Sequence, residues 1–246
     1  MSQHPVHGTP VPFGPWATIG FGVLALLASS FIGFWLISIL YLAVGTDVAD
    51  LAGIATEVYS PEAAQFILRL LCLTSLVGCV LIYYLVKVRQ GDKTDDYLGL
   101  RPFSLSTLVP WLSATIACAV AGMVLIALFG GNQEVEGANP LDALEVGFLL
   151  IMARAVIAPM WEELLFRGFI FEGLKNSSMG TQGAIILPAI WWAGMHLNTN
   201  IGAMLGVLLF GLLLGCARER HGSILLTIVM HGFYSVLLFV FRPYWA

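Results

Sequence analysis

The sequence predicts an all-α, polytopic transmembrane bundle of about seven to eight helices. Of its 246 residues 59% are hydrophobic and 11% charged, and the mean hydropathy is +0.88, whereas soluble domains carry about a quarter charged residues. Seven apolar runs follow one another at roughly 16–44, 64–88, 105–129, 145–174, 182–197, 200–217 and 222–241. Most reach the ~20 residues that a spanning helix needs, and the fifth and sixth are short. The connectors are brief, so we expect one transmembrane domain and no attached soluble domain.

The ends of the chain and its glycines fit this organisation. Residues 1–15 are rich in Pro and Gly and contain no Lys or Arg, so we expect a disordered tail rather than a signal peptide. Residues 16–246 then form the single transmembrane domain. In the sixth run, two GxxxG patterns comprise Gly202, Gly206, Gly211 and Gly215. Small residues at this spacing predict close packing between helices.

The charged connectors predict the orientation. Those after the first and third runs carry only acidic residues: Asp47, Asp50, Glu57, Glu62, Glu134, Glu136 and Asp142. Those after the second, fourth and sixth runs carry the basic residues Lys87, Arg89, Lys93, Arg101, Lys175, Arg218 and Arg220. By the positive-inside rule the N-terminus is cytoplasmic and the C-terminus lies on the far side of the cell membrane. The mixed segment 90–104 is expected to lie at the cytoplasmic interface.

Glu162, Glu163 and Arg167 lie inside the fourth apolar run, in the stretch WEELLFRGFIFEGL at 161–174. On a helix Arg167 shares a face with Glu163, four residues earlier, and can hold it as an ion pair. Glu162 points elsewhere, has no cation one turn away, and is the candidate general base. Acidic residues within a membrane indicate a functional site by default, although both glutamates could instead hold helices together through buried polar contacts.

Polar residues in later helices reach the same depth. From Glu162 to the connector that follows is about 12 residues, or ~18 Å, and from the start of the next run to His196 about 14 residues, or ~21 Å. His231 lies about nine residues, or ~14 Å, beyond its connector, and Ser235 follows one turn later. A carboxylate can take a proton from water, an imidazole can orient that water or bind a metal, and a second imidazole with a hydroxyl can donate to an oxyanion. This is the composition of a hydrolytic site.

Several classes of protein are excluded by inspection. There is no HExxH of a zincin, no GxSxG nucleophile elbow, and no Asp within a spanning run for a di-aspartyl protease. No basic stripe for nucleic acid is present.

The late helices resemble a known family. Its pattern appears here as Glu162-Glu163-xxx-Arg167, Trp192-xxx-His196 and His231-xxx-Ser235. This arrangement resembles the CPBP family of intramembrane proteases, which are the type II CAAX prenyl endopeptidases and bacterial relatives linked to bacteriocin processing and immunity. The resemblance covers roughly 145–241, and DYLGLRP at 96–102 also looks like the segment that precedes the third run in the family.

The resemblance implies roles for the matching residues. Glu162 and His196 would activate the attacking water, and Glu163 with Arg167 would shape the site. It also implies an endopeptidase acting on a membrane-associated peptide or protein substrate, prenylated or carrying a leader peptide, within the lipid bilayer.

His231 with Ser235 would stabilise the oxyanion. Two positions depart from the family's pattern, which usually has Phe where this chain has Trp192 and Asn where it has Ser235. A hydroxyl still donates one hydrogen bond but is shorter than an amide, which puts oxyanion stabilisation in doubt.

The cofactor and two other functions stay open. Glu162, His196 and His231 could hold a divalent metal such as zinc, yet the same residues suffice for a glutamate-activated water. A non-catalytic membrane protein could use the same polar core to bind a peptide, lipid or helix. A transporter with a Glu/His proton relay is disfavoured because the halves show no internal repeat. The sequence names neither the substrate nor the oligomeric state.

Overall fold

The computed structural model describes residues 13–45, 60–129, 147–196 and 200–241, which are all-α with no strand in these ranges. Most of the predicted tail, residues 1–12, lies outside the described residues, as do most of the acidic connector residues. Phe13 is buried and Pro15 already begins the first helix.

The helices follow the predicted runs closely. They are α1 (Pro15–Ala43), α2 (Pro61–Gln90), α3 (Thr94–Leu98), α4 (Leu105–Phe129), α5 (148–175), α6 (Gly180–Gly194), α7 (Ile201–His221) and α8 (Ile224–Phe241). The predicted fold class is confirmed for the described part of the chain. Four of the described helical stretches are long and apolar enough to cross a membrane: Pro15–Ala43, Pro61–Leu98, Leu105–Phe129 and Ile201–His221. The protein is therefore a multi-pass membrane protein.

The helix α5 is not a uniform α-helix. It is wound as a π-helix at Ala153–Ile157 and again at Leu164–Ile170, on either side of the α-helical turn Ala158–Glu163. Each π segment rotates the helix face that follows it, and such segments are frequent at functional sites. Both glutamates of the motif stand in the short α-helical stretch between them.

The four glycines of the predicted GxxxG patterns divide between two neighbours of α7. A Cβ on Gly202 would collide with the carbonyl of Leu125 in α4, and one on Gly206 would lie 3.1 Å from the Cα of Gly122. On the other side a Cβ on Gly211 would lie 3.1 Å from Ala189 of α6. The prediction of close packing is confirmed, since α7 is packed closely between α4 and α6.

The segment 90–104 packs its apolar side chains into the end of the bundle, while Asp92, Asp95, Asp96 and Arg101 are exposed. Tyr97 and Leu98 of α3 are fully buried. The backbone N–H of Ile224 donates to the carbonyl of Gly99 at 2.8 Å, and the hydroxyl of Ser223 donates to that of Arg101 at 2.5 Å. The apolar side chains of the segment pack against α5, and its carbonyls accept hydrogen bonds from the start of α8. Its location at the cytoplasmic interface stays a prediction.

Candidate active site

A buried ion pair stands at the centre of the site. Arg167 Nη1 donates to Glu163 Oε1 at 2.9 Å, and the two side chains are only 1% and 0% exposed. Arg167 Nη2 also donates to the carbonyl of Gly211 in α7 at 3.1 Å. The predicted pair is confirmed, and it ties α5 to α7. A carboxylate in so apolar a setting requires a bound partner of opposite charge, and Arg167 supplies it.

His231 brings α8 to this pair. Its Nδ1 lies 2.9 Å from Glu163 Oε1. A carboxylate paired with a guanidinium accepts hydrogen bonds, so Nδ1 is placed to donate. The other ring nitrogen, Nε2, is turned toward Glu162 and lies 3.9 Å from its Oε2. Glu163 therefore fixes the orientation of the imidazole, while Nε2 faces the second carboxylate.

Glu162 differs from its neighbour in exposure and in partner. Its side chain is 26% exposed, whereas that of Glu163 is fully buried. The sequence predicted that it has no cation one turn away, and in the structure a neutral donor binds it: the indole N–H of Trp192 in α6 donates to Oε2 at 2.6 Å.

Trp192 also connects the remaining site residues. Its ring centroid lies 5.3 Å from that of His196 and 5.1 Å from that of His231, and the guanidinium carbon of Arg167 lies 5.1 Å from its ring. His196 Nδ1 lies 2.9 Å from the carbonyl oxygen of Trp192. A carbonyl only accepts, so Nδ1 is the donor, and in the neutral ring Nε2 can take a proton.

The sequence pattern includes Trp192 one turn before His196, but it did not predict that the indole N–H binds Glu162. The WxxxH spacing was the available signal, since it places the indole one turn before His196 on the same helix face.

Ser235 has a different environment. It lies in α8 one turn after His231 and lines an apolar cavity together with Leu150 and Phe239. Within the described residues no hydrogen bond joins it to Glu162, Glu163 or His231. The structure thus brings together five of the six predicted residues through hydrogen bonds and ring contacts, and places Ser235 at the edge of the site.

Comparison with known proteins agrees with this geometry. The family model of Rce1-like type II CAAX prenyl endopeptidases matches residues 144–237. Residues 144–237 are therefore similar to this family. The match confirms the resemblance inferred from the motifs, and all six predicted site residues and Trp192 fall within it.

Two curated relatives align with part of the chain. An Escherichia coli protein named "Uncharacterized 24.3 kDa protein" is 26% identical over 132 residues, which are 50% of this chain and 59% of that protein. The Bacillus subtilis (strain 168) protein named "Putative membrane peptidase YdiL" is 26% identical over 112 residues, 42% of this chain and 44% of that protein. The alignments thus span about half the length of these relatives. No solved structure matches.

Among the described residues, no three His, Cys, Asp or Glu side chains are grouped so that they could hold a metal ion. The candidate ligands Glu162, His196 and His231 are thus not close enough together for this, and the zinc alternative finds no support in the described part of the chain.

Proposed function

We propose that the protein is an intramembrane endopeptidase in which Glu162 activates the attacking water. One observation carries the proposal: the Glu162 side chain is partly exposed, whereas the adjacent Glu163 is fully buried and bound by Arg167 and His231. Two neighbouring carboxylates therefore have different tasks. The buried one holds the site together, and the exposed one can exchange a proton with water.

The reaction follows from this division. Water attacks the carbonyl carbon of the scissile peptide bond while Glu162 accepts one of its protons. The tetrahedral intermediate carries the negative charge on its former carbonyl oxygen. Glu162 then delivers the proton to the amide nitrogen, the C–N bond breaks, and a carboxyl and an amino terminus leave.

The histidines assist from two helices. His196 holds its Nδ1 proton on a backbone carbonyl, so Nε2 can orient the attacking water. His231, anchored on Glu163 through Nδ1, donates to the oxyanion when Nε2 carries a proton. The contribution of Ser235 as a second oxyanion donor stays a prediction.

The substrate is proposed to be a membrane-associated peptide or protein. The description of the matching family favours a prenylated C-terminal segment, and the name of the Bacillus subtilis relative describes a membrane peptidase. A leader peptide would present the same chemistry, an apolar anchor beside an extended backbone.

The test is cleavage by the purified protein in detergent. Fluorescence-quenched peptides are offered in two forms, farnesylated at a C-terminal CAAX cysteine and unmodified. Glu162→Gln keeps the size of the side chain but cannot take a proton, so it should lower kcat/KM at least about 100-fold, within the range of general base catalysis. The matched control is Glu219→Gln, a carboxylate that pairs with Lys175 away from the site.

The outcomes separate the alternatives. Retained cleavage in Glu162→Gln would remove Glu162 from the reaction. A wild-type protein that binds the peptides but cleaves neither would be a non-catalytic binding protein, the alternative left open by the sequence. Cleavage of only the farnesylated peptide would identify the lipid as part of the recognised substrate.

A further inference from the structure

We propose that Trp192 is a positioning residue that holds Glu162 for the reaction; the proposal rests on the proposed function. Its indole N–H is a donor only and binds Oε2 of Glu162 at 2.6 Å. Hydrogen bonds to a charged acceptor are short and about twice as strong as neutral ones. This bond therefore determines where the carboxylate stands.

The bond also distinguishes the two carboxylate oxygens. Oε2 accepts from Trp192 and is the oxygen 3.9 Å from His231 Nε2. Both neighbours approach the same atom, so the other oxygen, Oε1, is assigned to the attacking water. Trp192 thus sets the direction from which Glu162 accepts the proton.

The donor is itself held in place. Trp192 is 3% exposed. The Arg167 guanidinium lies near its ring, and the imidazole of His231 and the ring of Phe210 contact it at centroid distances of 5.1 and 6.2 Å. An indole packed on several sides loses little freedom when it binds a carboxylate, which is the condition for a preorganised site.

A phenylalanine at this position would fill most of the same space without a donor. Glu162 would keep its exposure and its neighbour His231 but could turn between rotamers. We therefore expect a lower rate of reaction in the enzyme–substrate complex and unchanged substrate binding. The indole is 3% exposed and offers almost no surface to a substrate.

The experiment compares Trp192→Phe with Trp191→Phe, the same substitution at the adjacent residue. Trp191 packs edge-to-face on Phe166 at 5.6 Å and has no hydrogen bond to a carboxylate within the described residues. Trp192→Phe should lower kcat about 10- to 100-fold and leave KM within about twofold, the size of a small misplacement of a catalytic group. Trp191→Phe should change neither. An unchanged kcat in Trp192→Phe, or an equal loss in both variants, would overturn the proposal.

A second readout does not depend on activity. In protein with ¹⁵N-labelled indoles, the Trp192 N–H resonance is assigned by its absence in Trp192→Phe. Glu162→Ala removes the acceptor and should move this resonance upfield, while Trp191→Phe leaves it in place. A resonance that does not respond to Glu162→Ala would refute the bond itself. If the bond is present and no peptide is cleaved, the proposed protease function fails and the assigned contact stands.

Discussion

At the scale of single residues, the ion pair between Glu163 and Arg167 is the costliest contact to break. Removing one partner leaves an uncompensated charge in an apolar interior, which destabilises proteins by about 3–5 kcal/mol. Arg167→Met should therefore lower the free energy of unfolding by that amount, measured by denaturation in micelles. Lys175→Met is the control: its pair with Glu219 is 36% and 31% exposed, and such pairs contribute about 0–1 kcal/mol.

The double variant Glu163→Gln, Arg167→Met tests the reason for the loss. With both charges gone the interior holds no unpaired ion, so part of the stability should return. Equal losses in Arg167→Met and Lys175→Met would contradict the description of a buried, desolvated pair.

The sequence predicted this pair but not the partner of Glu162. Glu163 and Arg167 are four positions apart, so helix geometry alone brings them together. The bond from Trp192 to Glu162 joins residues 30 positions apart on different helices. Hairpin arithmetic predicts that such helices reach the same depth, but it does not determine which faces meet. Helix periodicity likewise places Ser235 one turn after His231 but does not reveal that the serine lines an apolar cavity.

At the scale of helices, the contact between α5 and α8 leaves no room for a side chain. Gly232 follows His231, and a Cβ there would collide with the carbonyl oxygen of Ala155 in the first π segment of α5. Gly232→Ala must push the helices apart, at a cost of about 1–3 kcal/mol, and would move His231 away from Glu163. We expect lower stability together with a loss of cleavage.

The matched control for Gly232→Ala is Gly20→Ala in α1, where a Cβ would meet nothing within 4 Å. It should keep full activity and at least wild-type stability, since Ala favours a helix over Gly. If Gly232→Ala kept the free energy of unfolding and the activity of the wild type, α8 would not pack this closely on α5.

Helix existence was predictable because apolar runs of spanning length are separated by polar connectors. The internal winding of α5 was not, since a π segment depends on which carbonyls and side chains the neighbouring helices engage. The burial of Tyr97 and Leu98 within the segment 90–104 was likewise not predictable, because a few apolar side chains do not specify a packing partner. In the structure Tyr97 lies beside Phe169 of α5.

At the scale of the whole molecule, the basic connectors are gathered at one end of the bundle. Lys175 Nζ lies 2.7 Å from Glu219, and Arg218 lies 3.4 Å from Glu172, so the connectors after α5 and α7 meet. The guanidinium of Arg89 stands 4.8 Å from the ring of Phe13, which brings the start of α1 to the same end. The positive-inside rule therefore applies to one contiguous surface.

We predict that this basic end, with the start of α1, faces the cytoplasm. The test uses a variant whose four native cysteines are replaced by serine, with one new cysteine at a time. Arg220→Cys reports on the basic end, where the side chain is exposed. Val44→Cys, at a residue 73% exposed, reports on the opposite end of α1, about 43 Å away for 29 helical residues. In intact cells a membrane-impermeant maleimide should label only Val44→Cys, and Arg220→Cys should react only after the membrane is opened. The reverse pattern would invert the topology, because both positions belong to the same rigid bundle and cannot exchange sides independently.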